Sequence, residues 1–331
     1  RQHIGYVTNG IHYATWTAPT LKKLYADFFG KDLEQNITDF DRWSGISNVP
    51  DENLWKIKQD LRKKLINTIR ERFKENWIKR HEDPKQIIAI NNTLSEDSLT
   101  ICFARRFATY KRAHLLFRNP ERLARILNLP GKPVQIIFAG KAHPNDKAGQ
   151  DLIKIIFDLS KHPDFLGKIL FLQNYDMNLA KTMVQGADIW LNTPARSMEA
   201  SGTSGEKAVM NATLHFSVLD GWWVEGYHPD GGWALTNETA YDDPNLQDDL
   251  DAEIIYTMLE QEVIPAFYER DEKGIPGEWL KIIKNSIAKI APHFTTTRMI
   301  NDYKRRYYQK LYERHQLMIK NDFEMAKTVS S

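Results

Sequence analysis

The chain has one cysteine, Cys102, among 331 residues. A lone thiol excludes a disulfide framework and a cysteine-built metal site, and it points to a reducing, cytoplasmic compartment. No metal is expected. Apolar runs of membrane-spanning length are missing, as is a signal peptide, so no membrane partner is expected either. Neither sign of charge prevails: 45 Lys and Arg are matched by 43 Asp and Glu, a net charge of +2. The two signs are interleaved, which excludes the basic footprint of a nucleic-acid binder. No repeat or low-complexity segment interrupts the chain. Even an initiator methionine is lacking. Ile4-Gly5-Tyr6-Val7-Thr8-Asn9-Gly10 already reads as a strand entering a turn, as expected for a fragment of a longer protein.

Aromatic rings, by contrast, are plentiful. Nine Trp and thirteen Tyr suit a carbohydrate partner without demonstrating one. The stretch with the most chemical content is Glu199-Ala200-Ser201-Gly202-Thr203-Ser204-Gly205-Glu206-Lys207. Gly202 and Gly205 let the backbone come close to a ligand. Thr203 and Ser204 offer hydroxyls and amides, and a helix starting near Gly205 would turn its positive end outward. Such a loop can hold a phosphate. It is not a P-loop, because Ala208 follows Lys207 where that motif needs Ser or Thr. A lysine beside a phosphate cradle has a second use, as the Schiff-base partner of a phosphorylated aldehyde cofactor. The alternative is a glycine-rich surface turn with a solvated lysine, and this stretch alone does not decide between them.

Apolar periodicity predicts a helix over 52–80, with Leu54, Ile57, Leu61, Leu65, Ile69, Phe73 and Trp77 as a core stripe and a solvated Lys/Arg back. Residues 81–97 read as a polar connection. From residue 98 short apolar runs alternate with helices. Strands are predicted at Leu99–Ala104, Val134–Ala139, Ile169–Leu172, Ile189–Leu191 and Leu214–Leu219. Residues 220–247 read as an irregular loop and 248–325 as helices, with Tyr303, Tyr307 and Leu311 as a packing stripe. The alternation implies an α/β fold, a Rossmann-like parallel sheet flanked by helices. Three parts follow: 1–97 a leading strand, loop and helix, 98–245 the sheet core with the site, and 246–331 carboxyl-terminal helices.

Ligands of parallel sheets sit beyond the carboxyl ends of the strands. The strand ends carry four polar clusters: Arg105, Arg106 and Lys111; Lys141 and His143; Asn174 and Tyr175; Glu199 to Lys207. Three cations at one strand end repel one another unless an anion lies among them. Phosphate, at about −1.5 to −2 charge, is a fitting anion. Glu199 cannot help to bind an anion, so it is expected to face sugar hydroxyls or to cap a loop amide.

Taken in order, Thr8-Asn9-Gly10 with Trp16, Arg105-Arg106 with Tyr110-Lys111-Arg112, Gly140-Lys141-Ala142 with Pro144, Asn174-Tyr175, and Glu199-Ala200-Ser201-Gly202-Thr203 with Lys207 resemble the glycogen/α-glucan phosphorylases, the short bacterial branch most of all. The likeness runs from residue 1 to about 225. It implies the carboxyl-terminal half of a GT-B glycosyltransferase, with the family's amino-terminal domain and its share of the cleft missing. Such an enzyme cleaves α-1,4-glucan with inorganic phosphate to give glucose 1-phosphate, using the phosphate of pyridoxal 5′-phosphate as a proton relay. The fragment alone is expected to be inactive, and the resemblance leaves room for a homo-oligomer of the full-length protein.

The same resemblance assigns roles. Lys207 matches the cofactor lysine. Thr203, the Ser204 amide and Arg105 match the groups at the cofactor phosphate. Trp16, Tyr175, Gly140 and Lys141 match residues packed around its ring. Arg106 and Lys111 match the substrate-phosphate pair, and Asn9, Tyr110, Glu199 and the backbone of Ala200, Ser201 and Gly202 match contacts to the glucosyl hydroxyls. Some residues depart from the family pattern. Glu206 stands where many members have Met, and it could pair with Lys207. Ala108 replaces a His, and Asp176 an Arg, of the animal enzymes. Two other readings stay open: a nucleotide-sugar glycosyltransferase of the same architecture, and a glucan-binding module without catalysis.

Overall fold

The computed structural model describes residues 4–80, 84–235 and 241–330. At its centre six parallel strands follow the order β3-β2-β1-β4-β5-β6. They are β1 (Leu99–Arg106), β2 (Val134–Lys141), β3 (Ile169–Leu172), β4 (Ile189–Asn192), β5 (Leu214–Val218) and β6 (Trp233–Leu235). The predicted strands lie where the apolar runs placed them, because helices cover both faces and leave no room for polar alternation. The order reverses between β1 and β4, which opens a crevice at their carboxyl ends.

β6 was not legible as a strand. Three residues give no periodic signal, and the register Phe216↔Trp233 is set by pairing with β5. The predicted loop before it also holds a short helix, Trp223–Gly226, and the Trp223 indole N–H donates to the Trp233 carbonyl at 3.1 Å.

The leading strand expected at Ile4–Gly10 is absent. Among the described residues only Ile11, at this segment's end, pairs, in a single bridge with Thr295. Gly10 lies flat on that backbone, where an added Cβ would come within 2.3 Å of the Thr295 carbonyl oxygen. Helices α1 (Tyr13–Trp16) and α2 (Pro19–Phe29) follow.

Helix α3 (Asp51–Arg80) buries Leu54, Leu61, Leu65 and Ile69 as predicted, while Ile57 and Phe73 are partly covered. The side chain of Trp77 lies outside the described residues. Its Lys/Arg back is not uniformly solvated. Lys58 and Arg62 are buried at 0% and 1% exposure. They share one face, four residues apart, and point at the amino ends of β1, β4 and β5. Arg62 binds Asp188 Oδ1 at 2.6 Å, and Asp188 Oδ2 accepts from the Thr100 N–H at 2.9 Å. The Lys58 ammonium donates to the carbonyls of Gln185, Ala187 and Asn211 and to the Thr213 hydroxyl. Backbone carbonyls at the strand starts thus draw Lys58 inward, and the Asp188 carboxylate draws Arg62.

The polar connection expected over 81–97 is largely helix α4 (Pro84–Thr93), with proline at its start and Ile90 buried. Helices α5 (Pro120–Leu127), α6 (Lys147–Leu159), α7 (Met177–Gly186) and α8 (Ser204–Val209) lie between the strands. From Pro244 on the described chain is mainly helical, a few residues earlier than the predicted 248. The terminal stripe is not a packing stripe, however. Tyr303 and Tyr307 are half-buried, and Leu311 stands 62% exposed on a helix that leaves the body of the protein. Among the described residues no helix is long and apolar enough to cross a membrane.

Candidate active site

β1 runs in register with β2, so that Arg105 lies opposite Gly140 and Arg106 opposite Lys141. Gly140 has no room for a side chain. An added Cβ would lie 2.0 Å from the Arg105 carbonyl oxygen and 2.6 Å from the Phe107 ring. Lys141 and Arg106 are exposed, and Arg106 has no ion pair among the described residues. The Arg105 guanidinium turns inward. Its NH1 is 3.4 Å from Glu199 Oε2, and its Nε is buried with no partner among the described residues. Burial lowers its pKa, against the pull of Glu199. Lys111 is buried beside it, its ammonium on the same Glu199 oxygen and 4.7 Å from the centre of the Tyr110 ring.

Glu199 therefore stands among the cations that the sequence assigned to phosphate. Residues 105–118 contain no acid, and the neutralising charge arrives from a loop 88 residues beyond Lys111. That loop is held from the far side by Asp220, which sequence reasoning missed. Asp220 Oδ2 accepts from the N–H groups of Met198 and Glu199 at 3.0 and 2.9 Å, and the Trp222 N–H donates to the Ser201 carbonyl at 2.9 Å. The only signal in the sequence was an Asp-Gly pair directly after a strand. Gly202 takes the left-handed backbone at φ 77°. Ser201 Oγ is buried without a partner among the described residues. Asn9, exposed, accepts from Arg298 NH2 through its carbonyl at 2.8 Å. With Glu199, Ala200, Ser201, Asp220 and Gly221 it lines a cavity of about 530 Å³. A larger cavity, about 880 Å³, lies along α3 and holds none of these side chains.

Helix α8 starts at Ser204, close to the expected Gly205, and is six residues long. Thr203 occupies its N-cap without a side-chain cap bond. The Ser204 hydroxyl accepts from the Trp190 indole at 3.1 Å. Gly205 is pressed against His215, whose ring a Cβ would approach to 2.6 Å. The His215 Nδ1–H donates to the Trp190 carbonyl, its Nε2 has no partner among the described residues, and burial pushes its pKa down to about 3. Nothing in the sequence singled this histidine out.

The Lys207 amine is half-buried, 3.8 Å from the centre of the Trp16 ring. Burial lowers its pKa, and Glu206 works the other way. Trp16 and Tyr175 pack on the same apolar cluster, which includes Ala104, Ala139 and Ala208. Burial raises the Tyr175 phenol to about 12, opposed by the nearby Arg105 charge. Asp176 is a helix cap, accepting from the Leu179 N–H at 2.8 Å and pairing with Arg72 at 3.0 Å.

Glu206 does not pair with Lys207 among the described residues. Its carboxyl is fully buried, and both oxygens lack a partner among the described residues. Burial pushes its pKa up to about 9, with Arg298 and Lys207 opposing and Glu225 adding to the rise. The folded protein thus keeps a proton that the unfolded chain releases above its ordinary 4.5. That contribution is complete below 4.5 and lost as pH rises toward 9. Relative to Glu206→Gln, the protein should lose stability by up to about 1.4 kcal/mol per pH unit within this window. Urea unfolding of both proteins at pH 5 to 9 measures the difference, and parallel curves would show that Glu206 is already ionised when folded. The comparison cancels Lys58, whose pKa burial lowers to about 7 and whose effect above that pH has the opposite sign.

A family model for carbohydrate phosphorylases matches residues 1–228. The glycogen phosphorylase of Aquifex aeolicus is 45% identical over 93% of this chain and 44% of its own length. The maltodextrin phosphorylase of Thermococcus litoralis is 40% identical over 98% of the chain and 38% of its own length. The glycogen phosphorylase of Mycobacterium bovis is 39% identical over 92% and 35%. The chain spans less than half the length of these relatives. The matched segment includes all four strand-end clusters and the Lys207 helix, and the chain belongs to the carbohydrate phosphorylase family.

Proposed function

We propose that this chain is the cofactor-carrying part of an α-glucan phosphorylase, which cleaves α-1,4-glucan with inorganic phosphate and releases glucose 1-phosphate. One observation carries the reading. The Lys207 amine rests on the Trp16 ring, has no ion pair with its acidic neighbour, and has its pKa lowered by burial. A neutral amine is what addition to an aldehyde requires. The orphaned Arg105 Nε fits an anion close by.

Pyridoxal 5′-phosphate, when bound, supplies a phosphate able to exchange a proton with the substrate phosphate. Lys207 would hold its aldehyde end. Arg105, Thr203 and the Ser204 amide would hold its phosphate, and Trp16, Tyr175, Gly140 and Lys141 would border its ring. Arg106 and Lys111 would take the substrate phosphate. For this, Lys111 gives up its contact with Glu199, since a phosphate of about −1.5 to −2 charge outcompetes one carboxylate. Glu199 is then free for the glucosyl hydroxyls, with Asn9, Tyr110 and the backbone of Ala200, Ser201 and Gly202. Two phosphates that these cations bring close would share a proton, because like charges side by side disfavour full ionisation of both. We assign the protein to the cytoplasm, in keeping with its buried free thiol Cys102.

Borohydride reduction of the full-length holoenzyme, followed by peptide mapping, should tag Lys207. Tagging of another lysine, or of none, rejects the assignment, and activity that requires a nucleotide sugar rejects phosphorolysis.

A further inference from the structure

Asn211 lies beyond α8 in the turn to β5 and is fully buried. Its Nδ2 donates to the Trp16 carbonyl at 2.9 Å and to the Lys207 carbonyl at 2.8 Å. Its Oδ1 accepts from the Ala18 N–H at 2.7 Å. Two donor hydrogens and one acceptor are all in use, and a flipped amide would set like against like at each contact. The turn does not need this side chain. Backbone bonds from the Asn211 and Thr213 N–H groups to the Ala208 carbonyl, 2.8 and 3.1 Å, close it already. The side chain instead ties α8 to a segment 195 residues earlier in the chain. Gln185 Nε2 adds a second donor to the Trp16 carbonyl at 3.1 Å. From below, Lys58 donates to the Asn211 carbonyl at 3.3 Å. Both the ring and the amine it faces therefore hang from one buried amide.

We propose that Asn211 is a positioning residue, which clamps the Trp16 ring against the Lys207 amine and so sets the direction in which that amine points. Its bearing on turnover rests on reading Lys207 as the cofactor lysine; the clamp itself does not. A ring at 3.8 Å shields one side of the amine from water and reagents. Release of the Trp16 segment uncovers it.

The test is acetylation of the full-length protein by acetic anhydride without added cofactor, read by peptide mass for Lys207 relative to the exposed Lys147. Asn211→Ala and Asn211→Asp should each speed Lys207 labelling by at least about threefold, a coupling expected of residues in contact. Trp16→Ala should do the same, and adding Asn211→Ala to it should bring no further gain. Buried Lys58 should stay unlabelled throughout. The aspartate variant keeps the size and the acceptor for Ala18 but turns an oxygen toward the Trp16 and Lys207 carbonyls, so whichever of the two variants folds reports the loss of the donor, and Trp16→Ala reports without either. An unchanged Lys207 rate in the folded Asn211 variants overturns the clamp. So do effects of Trp16→Ala and Asn211→Ala that multiply, or Lys58 labelling that rises with Lys207, the sign of general loosening. Borohydride tagging is scored separately: its failure removes the cofactor reading and leaves the clamp, and the converse holds equally.

Discussion

Lys207→Ala should leave the full-length protein folded, free of bound pyridoxal by absorbance, and slower in phosphorolysis by a factor on the order of 10³ or more, the scale of losing a group that acts in the chemistry. Folding is spared because the Lys207 side chain makes no hydrogen bond or ion pair among the described residues, only its contact with the Trp16 ring. Its removal should change stability by less than about 1 kcal/mol. Lys207→Arg separates charge from chemistry. A guanidinium keeps the cation over the ring but stays protonated at any working pH, so it cannot take up an aldehyde. Both variants should therefore fail alike. A variant with bound pyridoxal and turnover within about tenfold of the parent would place the cofactor on another lysine.

Asp188→Ala should cost about 3–5 kcal/mol of stability, the range for stripping one partner from a buried ion pair. Arg62 would keep its charge at 1% exposure with its acid gone, and the Thr100 N–H at the start of β1 would lose its acceptor as well. The Trp55 and Phe267 rings that flank the guanidinium, each 5.2 Å away, cannot replace a carboxylate. Replacing both charges with apolar residues of similar size should recover most of the loss, because the penalty belongs to the unpaired charge. The urea midpoint at pH 7 measures it. A loss below about 1 kcal/mol would mean that water reaches Arg62.

Much of the fold was legible. A strand covered by helices on both faces reads as a near-continuous apolar run, so Leu99–Ala104, broken only by Thr100, and Ile169–Leu172 announced themselves. Strand direction then followed from the alternation with helices, and the polar clusters had to share one edge. Short or partner-dependent pieces were not legible. β6 exists because β5 offers it an edge, and the segment from Ile4 to Gly10 stays out of the sheet, with Gly10 and Ile11 at its end set against Thr295. Lys58 and Arg62 looked like a solvated back, since periodicity records where apolar residues fall and says nothing of what a charge will meet.

The sequence by itself determined the α/β class, the strand-end clusters and the membership that five ordered motifs imply, because these depend on which residues stand near one another along the chain. Tertiary structure alone decided that Glu199 lies between Arg105 and Lys111, that Glu206 is buried away from Lys207, and that Asn211 ties Trp16 to α8. The first and the last set a charge or a hydrogen bond against a partner far off in the chain, and the second leaves a buried carboxyl with no partner among the described residues. Coulombic and hydrogen-bond energies depend on distance in space and on exclusion of water, and neither is written in the order of the residues.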